Sequence, residues 1–106
     1  MVASTPEGKV KLRVKGIISK CGDEAYCFWP VQTGMGSRTL DCLGVHKGAA
    51  FAIETKAPGK HPTEIQELII EEMERAGMTV FVIGERETAD TYKYSGIEDL
   101  TRWLRR

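Results

Sequence analysis

The chain has few residues with which to cross-link itself. Its 106 residues include three cysteines, Cys21, Cys27 and Cys42, and no pair has the C-x-x-C spacing. An odd count without that spacing argues against a disulfide framework and against a thiolate zinc site. Cys27 and Cys42 stand among apolar neighbours and read as small core residues, which fits a reducing compartment. No apolar run nears the length of a membrane span, and the N-terminus lacks the apolar segment of a signal peptide. A cytoplasmic protein without a membrane partner is therefore expected. Neither charge sign is in excess: 15 Lys and Arg balance 15 Asp and Glu. Any hold on nucleic acid must then come from a local patch, since the bulk charge is zero. Internal repeats and low-complexity tracts are also absent. What remains is 42% hydrophobic and 28% charged, in a chain long enough to bury one core. A single domain spanning 1–106 follows.

Periodicity orders the elements. Val10, Val14, Ile17 and Ile18 recur at helical spacing behind Thr5 as N-cap and Pro6 in the first turn, and Cys21-Gly22-Asp23 ends that helix. Ala25 to Trp29 reads as an aromatic strand that Pro30 pushes toward a sheet edge; its aromatic residues and Trp103 are candidate apolar contacts, with a core role expected for most of them. Two strands follow, Thr39 to His46 and Ala49 to Lys56, joined at Lys47-Gly48. Pro62 to Ala76 carries Ile65, Leu68, Ile69, Met73 and Ala76 at helical spacing, and Gly77 stops it. Thr79 to Ile83 is a strand, and Ile97, Leu100 and Leu104 mark a short last helix. The order α-β-β-β-α-β-α predicts an α/β fold on a mixed sheet. Its second helix is the right-handed crossover that makes the flanking strands parallel.

One strand carries charge where core is expected. Alternation puts Ala52, Glu54 and Lys56 on one face and Phe51, Ile53 and Thr55 on the other. If Lys47-Gly48 is a two-residue turn, His46 pairs with Ala49, Leu43 opposes Ala52 and Asp41 opposes Glu54. Two carboxylates facing each other cost stability unless a cation compensates. Lys56 can do this as a structural ion pair. A divalent cation can do it too, since two carboxylates and a carbonyl make a hard oxygen site for Mg²⁺ or Mn²⁺. Glu7 adds a third acid, on the helix face that bears Val10 and Val14; it also suits the positive end of the helix dipole. Gln66 is double in the same way. Thr63-x-x-Gln66 is a capping box, and it lies just past the turn that follows Glu54.

Asp41 followed by Glu54-Thr55-Lys56 resembles the D…ExK signature of the PD-(D/E)xK nucleases. The wider string GMGSRTLDCLGVHKGAAFAIETKAPGKHPTEIQ is similar to the VRR-NUC domain, in particular its small stand-alone phage and bacterial members. The resemblance runs from about Glu7 to Ile83. It rests jointly on the D-x12-ExK spacing, the KAPGK turn and the glutamine after it. It implies a restriction-endonuclease-like central mixed β-sheet flanked by helices, and metal-dependent cleavage of DNA. Asp41 and Glu54 match the metal ligands, with the Thr55 carbonyl completing the site. Lys56 matches the lysine that orients or activates water, Gln66 the glutamine beside the site, and Glu7 the first-helix acid. Gln32 lies where similar proteins carry a glutamine. Arg38, Lys60 and His61 flank the site and could follow a DNA backbone. Similar stand-alone members work as homodimers on Holliday junctions. A non-catalytic DNA-binding or assembly module that keeps the fold is the alternative. One departure stands out: many members carry Gly-x-Pro-Asp before the first ligand, and this chain has Arg38-Thr39-Leu40-Asp41.

Overall fold

A computed structural model of the chain describes residues 5–31, 38–86 and 95–106. Among these residues, three helices flank one four-stranded sheet. Helix α1 is Pro6–Ser19, strand β1 Ala25–Phe28, β2 Cys42–His46, β3 Ala49–Thr55, helix α2 Glu64–Arg75, strand β4 Thr79–Ile83 and helix α3 Ile97–Leu104. The strands lie in the order β1-β2-β3-β4. The first two pairings are antiparallel and β3–β4 is parallel. The mixed α/β sheet and the order of its elements are those expected from periodicity. A single 3-10 turn, Gly22–Glu24, links α1 to β1.

Local chemistry sets the ends. The Thr5 hydroxyl accepts from the Gly8 amide at 3.0 Å, capping α1. Helix α2 closes in a Schellman motif. The Met78 amide bonds the Met73 carbonyl, the Gly77 amide bonds the Glu74 carbonyl, and Gly77 takes φ 104°. Lys47 and Gly48 both have positive φ, 49° and 83°, as a two-residue hairpin of type I′ requires. His46 accordingly pairs with Ala49 and Leu43 with Ala52.

The two sheet faces bury separate clusters. Phe51, Ile53 and Ile83 pack against Val10, Val14 and Ile18 of α1 and Ile97, Leu100 and Leu104 of α3. Ala52 and Leu40 pack against Ile69 of α2 on the other face. Helices on both faces are what a parallel β3–β4 pair demands.

Two expectations need correction. Strand β2 begins at Cys42 rather than Thr39, because Asp41 offers the Thr55 amide its carboxylate in place of a backbone carbonyl. The aromatic strand is not mostly core. Alternation turns Tyr26 and Phe28 outward, 75% and 57% exposed, while Cys27 packs inward. Arg106 also ties the end of α3 to the sheet. Its guanidinium lies 3.8 Å from the Trp103 ring centre and bonds His46 Nδ1 at 2.6 Å, tying the last residue to β2.

Candidate active site

The C-terminal end of β3 meets the first residues of α1, the residue before β2 and the first turn of α2. Continuing the β2–β3 register by one step from Cys42 and Ile53 sets Asp41 opposite Glu54. Both are buried, at 8% and 3% exposure. Two buried acids side by side are costly, so their partners decide what the arrangement is for.

Asp41 is fixed by Thr55. Its Oδ2 accepts from the Thr55 amide at 2.8 Å and from the Thr55 hydroxyl at 2.7 Å. The Thr55 amide points from β3 toward Asp41, and strand geometry sends the Thr55 carbonyl to the same side. Lys11 of α1 brings its Nζ to 3.9 Å from the other oxygen, Oδ1. Glu54 is fixed by Gln66, whose Nε2 donates to Oε2 at 2.8 Å. Lys56 donates to Gln66 Oε1 at 3.1 Å and stands 3.8 Å from Glu54 Oε2. Glu54 Oε1 is buried and, among the described residues, accepts no hydrogen bond. Its carboxyl is pushed up to about 7, first by burial, then by the Asp41 charge, with Glu7 adding to the rise and Lys56 opposing it.

Gln66 performs both roles left open by the sequence. Its backbone amide donates to Thr63 Oγ1 at 3.2 Å, and its side-chain Oε1 accepts from the Thr63 amide at 2.9 Å. That closes the capping box. The same side chain then bridges Glu54 and Lys56. The cap pins the glutamine, and the glutamine pins both site residues.

Glu7 lies half-buried in the first turn of α1, near enough to act on Glu54. The flanking residues are less closely tied. Arg38 is exposed and pairs with Glu72 of α2. His61 is exposed, with Nδ1 3.2 Å from Glu85 Oε1. Lys60 is exposed. Gln32 lies outside the described residues. Sequence reasoning missed Lys11 as a site residue and the Thr55 hydroxyl as the clamp on Asp41. The signal for Lys11 was present, since it stands four residues after Glu7 and so on the same helix face.

The donor set suits a hard divalent cation. Among the described residues, no group of three or more His, Cys, Asp or Glu side chains is placed to hold a metal ion by itself. Two carboxylates and a carbonyl are an open set. Mg²⁺ is commonly held by one or two carboxylates, with water and substrate phosphate completing its shell. The buried Glu54 Oε1 without a donor is the acceptor such a cation would satisfy.

Thr55→Val tests the clamp on Asp41. It keeps the shape and removes one hydrogen bond to a charged, buried oxygen. The urea midpoint should fall by the equivalent of about 2 kcal/mol. An unchanged midpoint would mean the hydroxyl is dispensable there.

No protein-family model, curated protein or solved structure matches the chain.

Proposed function

We propose that this protein is a divalent-metal-dependent deoxyribonuclease, hydrolysing phosphodiester bonds at the Asp41–Glu54–Lys56 site. The observation that carries the reading is the division of labour within Glu54. One oxygen is held by Gln66, while the other is buried with no donor among the described residues, beside a second carboxylate. A purely structural acid would be expected to satisfy both oxygens.

In this reading Asp41, Glu54 and the Thr55 carbonyl hold Mg²⁺ or Mn²⁺. When bound, such an ion lowers the pKa of water and neutralises charge on the phosphate. Thr55 and Gln66 keep the two carboxylates from rotating, so no reorganisation is needed as charge develops. Lys56, half-buried and steadied by Gln66, puts a point charge beside the nucleophile or the scissile phosphate. Glu7 adds negative charge that favours a cation. Lys60 and His61 follow the site along the chain and Arg38 precedes it, and these three are proposed contacts to the DNA backbone, with Gln32 as an accessory residue.

The preference for Holliday junctions or other branched DNA rests on the VRR-NUC resemblance, as does the homodimer. A two-fold pair would bring two sites to symmetric strands. Tyr26, Phe28 and Val45 form an exposed apolar face on the β1–β2 ribbon, the surface such a pair would cover.

The test is a labelled four-way junction and a matched duplex, each incubated with the protein in Mn²⁺, in Mg²⁺ and in EDTA. Cleavage in either metal and none in EDTA is expected. Binding without cleavage in any metal would favour the DNA-binding module instead.

A further inference from the structure

Lys11 is the cation that the site's own chemistry does not require. Lys56 already stands beside Glu54, and the Thr55 amide and hydroxyl already converge on Asp41 Oδ2. Yet Lys11 reaches in from α1 to the opposite oxygen, Oδ1, at 3.9 Å, with its side chain about one-third exposed (35%) while Asp41 is buried. The neighbouring lysines of α1 go elsewhere: Lys15 lies 4.9 Å above the Trp29 ring, and Lys9 is exposed. With Oδ2 occupied by Thr55, Oδ1 is the oxygen through which Asp41 would meet a metal ion. At 3.9 Å the Lys11 ammonium is an ion pair rather than a hydrogen bond, and a divalent cation seated on the same oxygen would be repelled by it.

We infer that Lys11 is a displaceable counter-ion of the metal site, competing with the divalent cation for Asp41 Oδ1 and passing to a substrate phosphate when the cation binds. The inference rests on the metal reading above and adds a residue and a role to it. The geometry allows the transfer. Lys11 is tethered by a helix that Val10 and Val14 lock into the core on either side of it, while its own four-carbon stem is partly solvated and free to swing. Displacement leaves its positive charge at the mouth of the site, next to the place where DNA phosphate must approach. Lys11 thus lowers the site's affinity for free metal and raises the affinity of the loaded site for DNA. Metal and DNA would therefore bind with positive coupling.

Two titrations separate this from a structural ion pair. Calorimetry with Mn²⁺ in the absence of DNA should give Lys11→Met an affinity roughly fivefold tighter than wild type, the scale of a partly exposed ion pair. Duplex binding with Ca²⁺ in place of Mn²⁺, followed against salt, should be weaker in Lys11→Met, with a log–log slope shallower by about one. Lys11→Gln serves as a second variant should the methionine form fold poorly. An Mn²⁺ affinity that is unchanged or lower, or a salt slope equal to wild type, overturns the role of Lys11 and leaves the metal site standing. A wild type that takes up no Mn²⁺, or an Asp41→Ala variant that binds it equally well, overturns the metal reading itself and this inference with it.

Discussion

Glu54→Gln should make the protein more stable at pH 8 while abolishing what the site does. The unmodified carboxyl sits near 4.5 and the folded one near 7. Below pH 4.5 both the folded and unfolded chains hold the proton, and Glu54 contributes nothing. Between 4.5 and 7 the folded chain keeps a proton that the unfolded chain has released, so stability falls as pH rises. Above 7 the buried carboxylate carries its full penalty, roughly 3 kcal/mol for a displacement of this size. Glutamine is neutral, keeps an oxygen for Gln66 Nε2 and loses only the attraction of Lys56. The gain at pH 8 is therefore expected on the order of 1–3 kcal/mol, shrinking to nothing near pH 4. Urea unfolding of both proteins across that range measures it. In parallel, cleavage should drop on the order of a thousandfold, the scale of losing a principal electrostatic stabiliser. Added Mn²⁺ should raise the melting temperature of the wild type alone. A variant less stable than wild type at pH 8 would instead identify Glu54 as half of a structural ion pair with Lys56.

Gly84→Ala should be the most damaging small substitution near the site. Gly84 is buried just after β4, at φ 102°. Its amide donates to the Ser95 carbonyl and its carbonyl accepts from the Gly59 amide, each at 3.0 Å. A Cβ here would run into the backbone oxygen of Lys56. Positive φ and a backbone collision act together, and the expected loss is about 3–4 kcal/mol. Gly22→Ala is the control, because Gly22 also has positive φ, 60°, but has nothing near its Cβ direction. It should lose only about 1 kcal/mol from backbone strain. The difference between the two isolates the collision. Because Lys56 must move to relieve it, the surviving folded fraction of Gly84→Ala should also cleave DNA more slowly than Gly22→Ala at equal folded concentration. Equal stabilities for the two variants would show that the β3–β4 ends separate freely.

Much of this architecture was legible in the sequence for identifiable reasons. The Lys47-Gly48 turn fixed the hairpin register, because only a two-residue loop of that kind matches strand twist. Register and alternation together place Asp41, Glu54 and Lys56 at one end of the hairpin, on one face. The capping box announced where α2 begins. What stayed hidden depends on how separate elements dock. Asp41 ends the ladder early because its side chain, not its backbone, serves Thr55, and pairing rules assume backbone partners. Lys11 reaches Asp41 only because α1 packs across Phe51 and Ile53 at that height. Gln66 presented two readings as rivals, and a side chain with both a donor and an acceptor fulfils both. The outward Tyr26 and Phe28 follow from α2 covering β3 and β4 but leaving β1 bare on that face, which alternation alone cannot reveal.

The central claim is that Asp41 and Glu54 together hold a divalent cation. Calorimetric titration of Mn²⁺ into the wild type, Asp41→Ala and Glu54→Gln at pH 8 tests it most directly. Saturable binding to the wild type, lost in both variants while each remains folded, is the predicted result. No saturable binding to the wild type, or binding that survives in both variants, would contradict it.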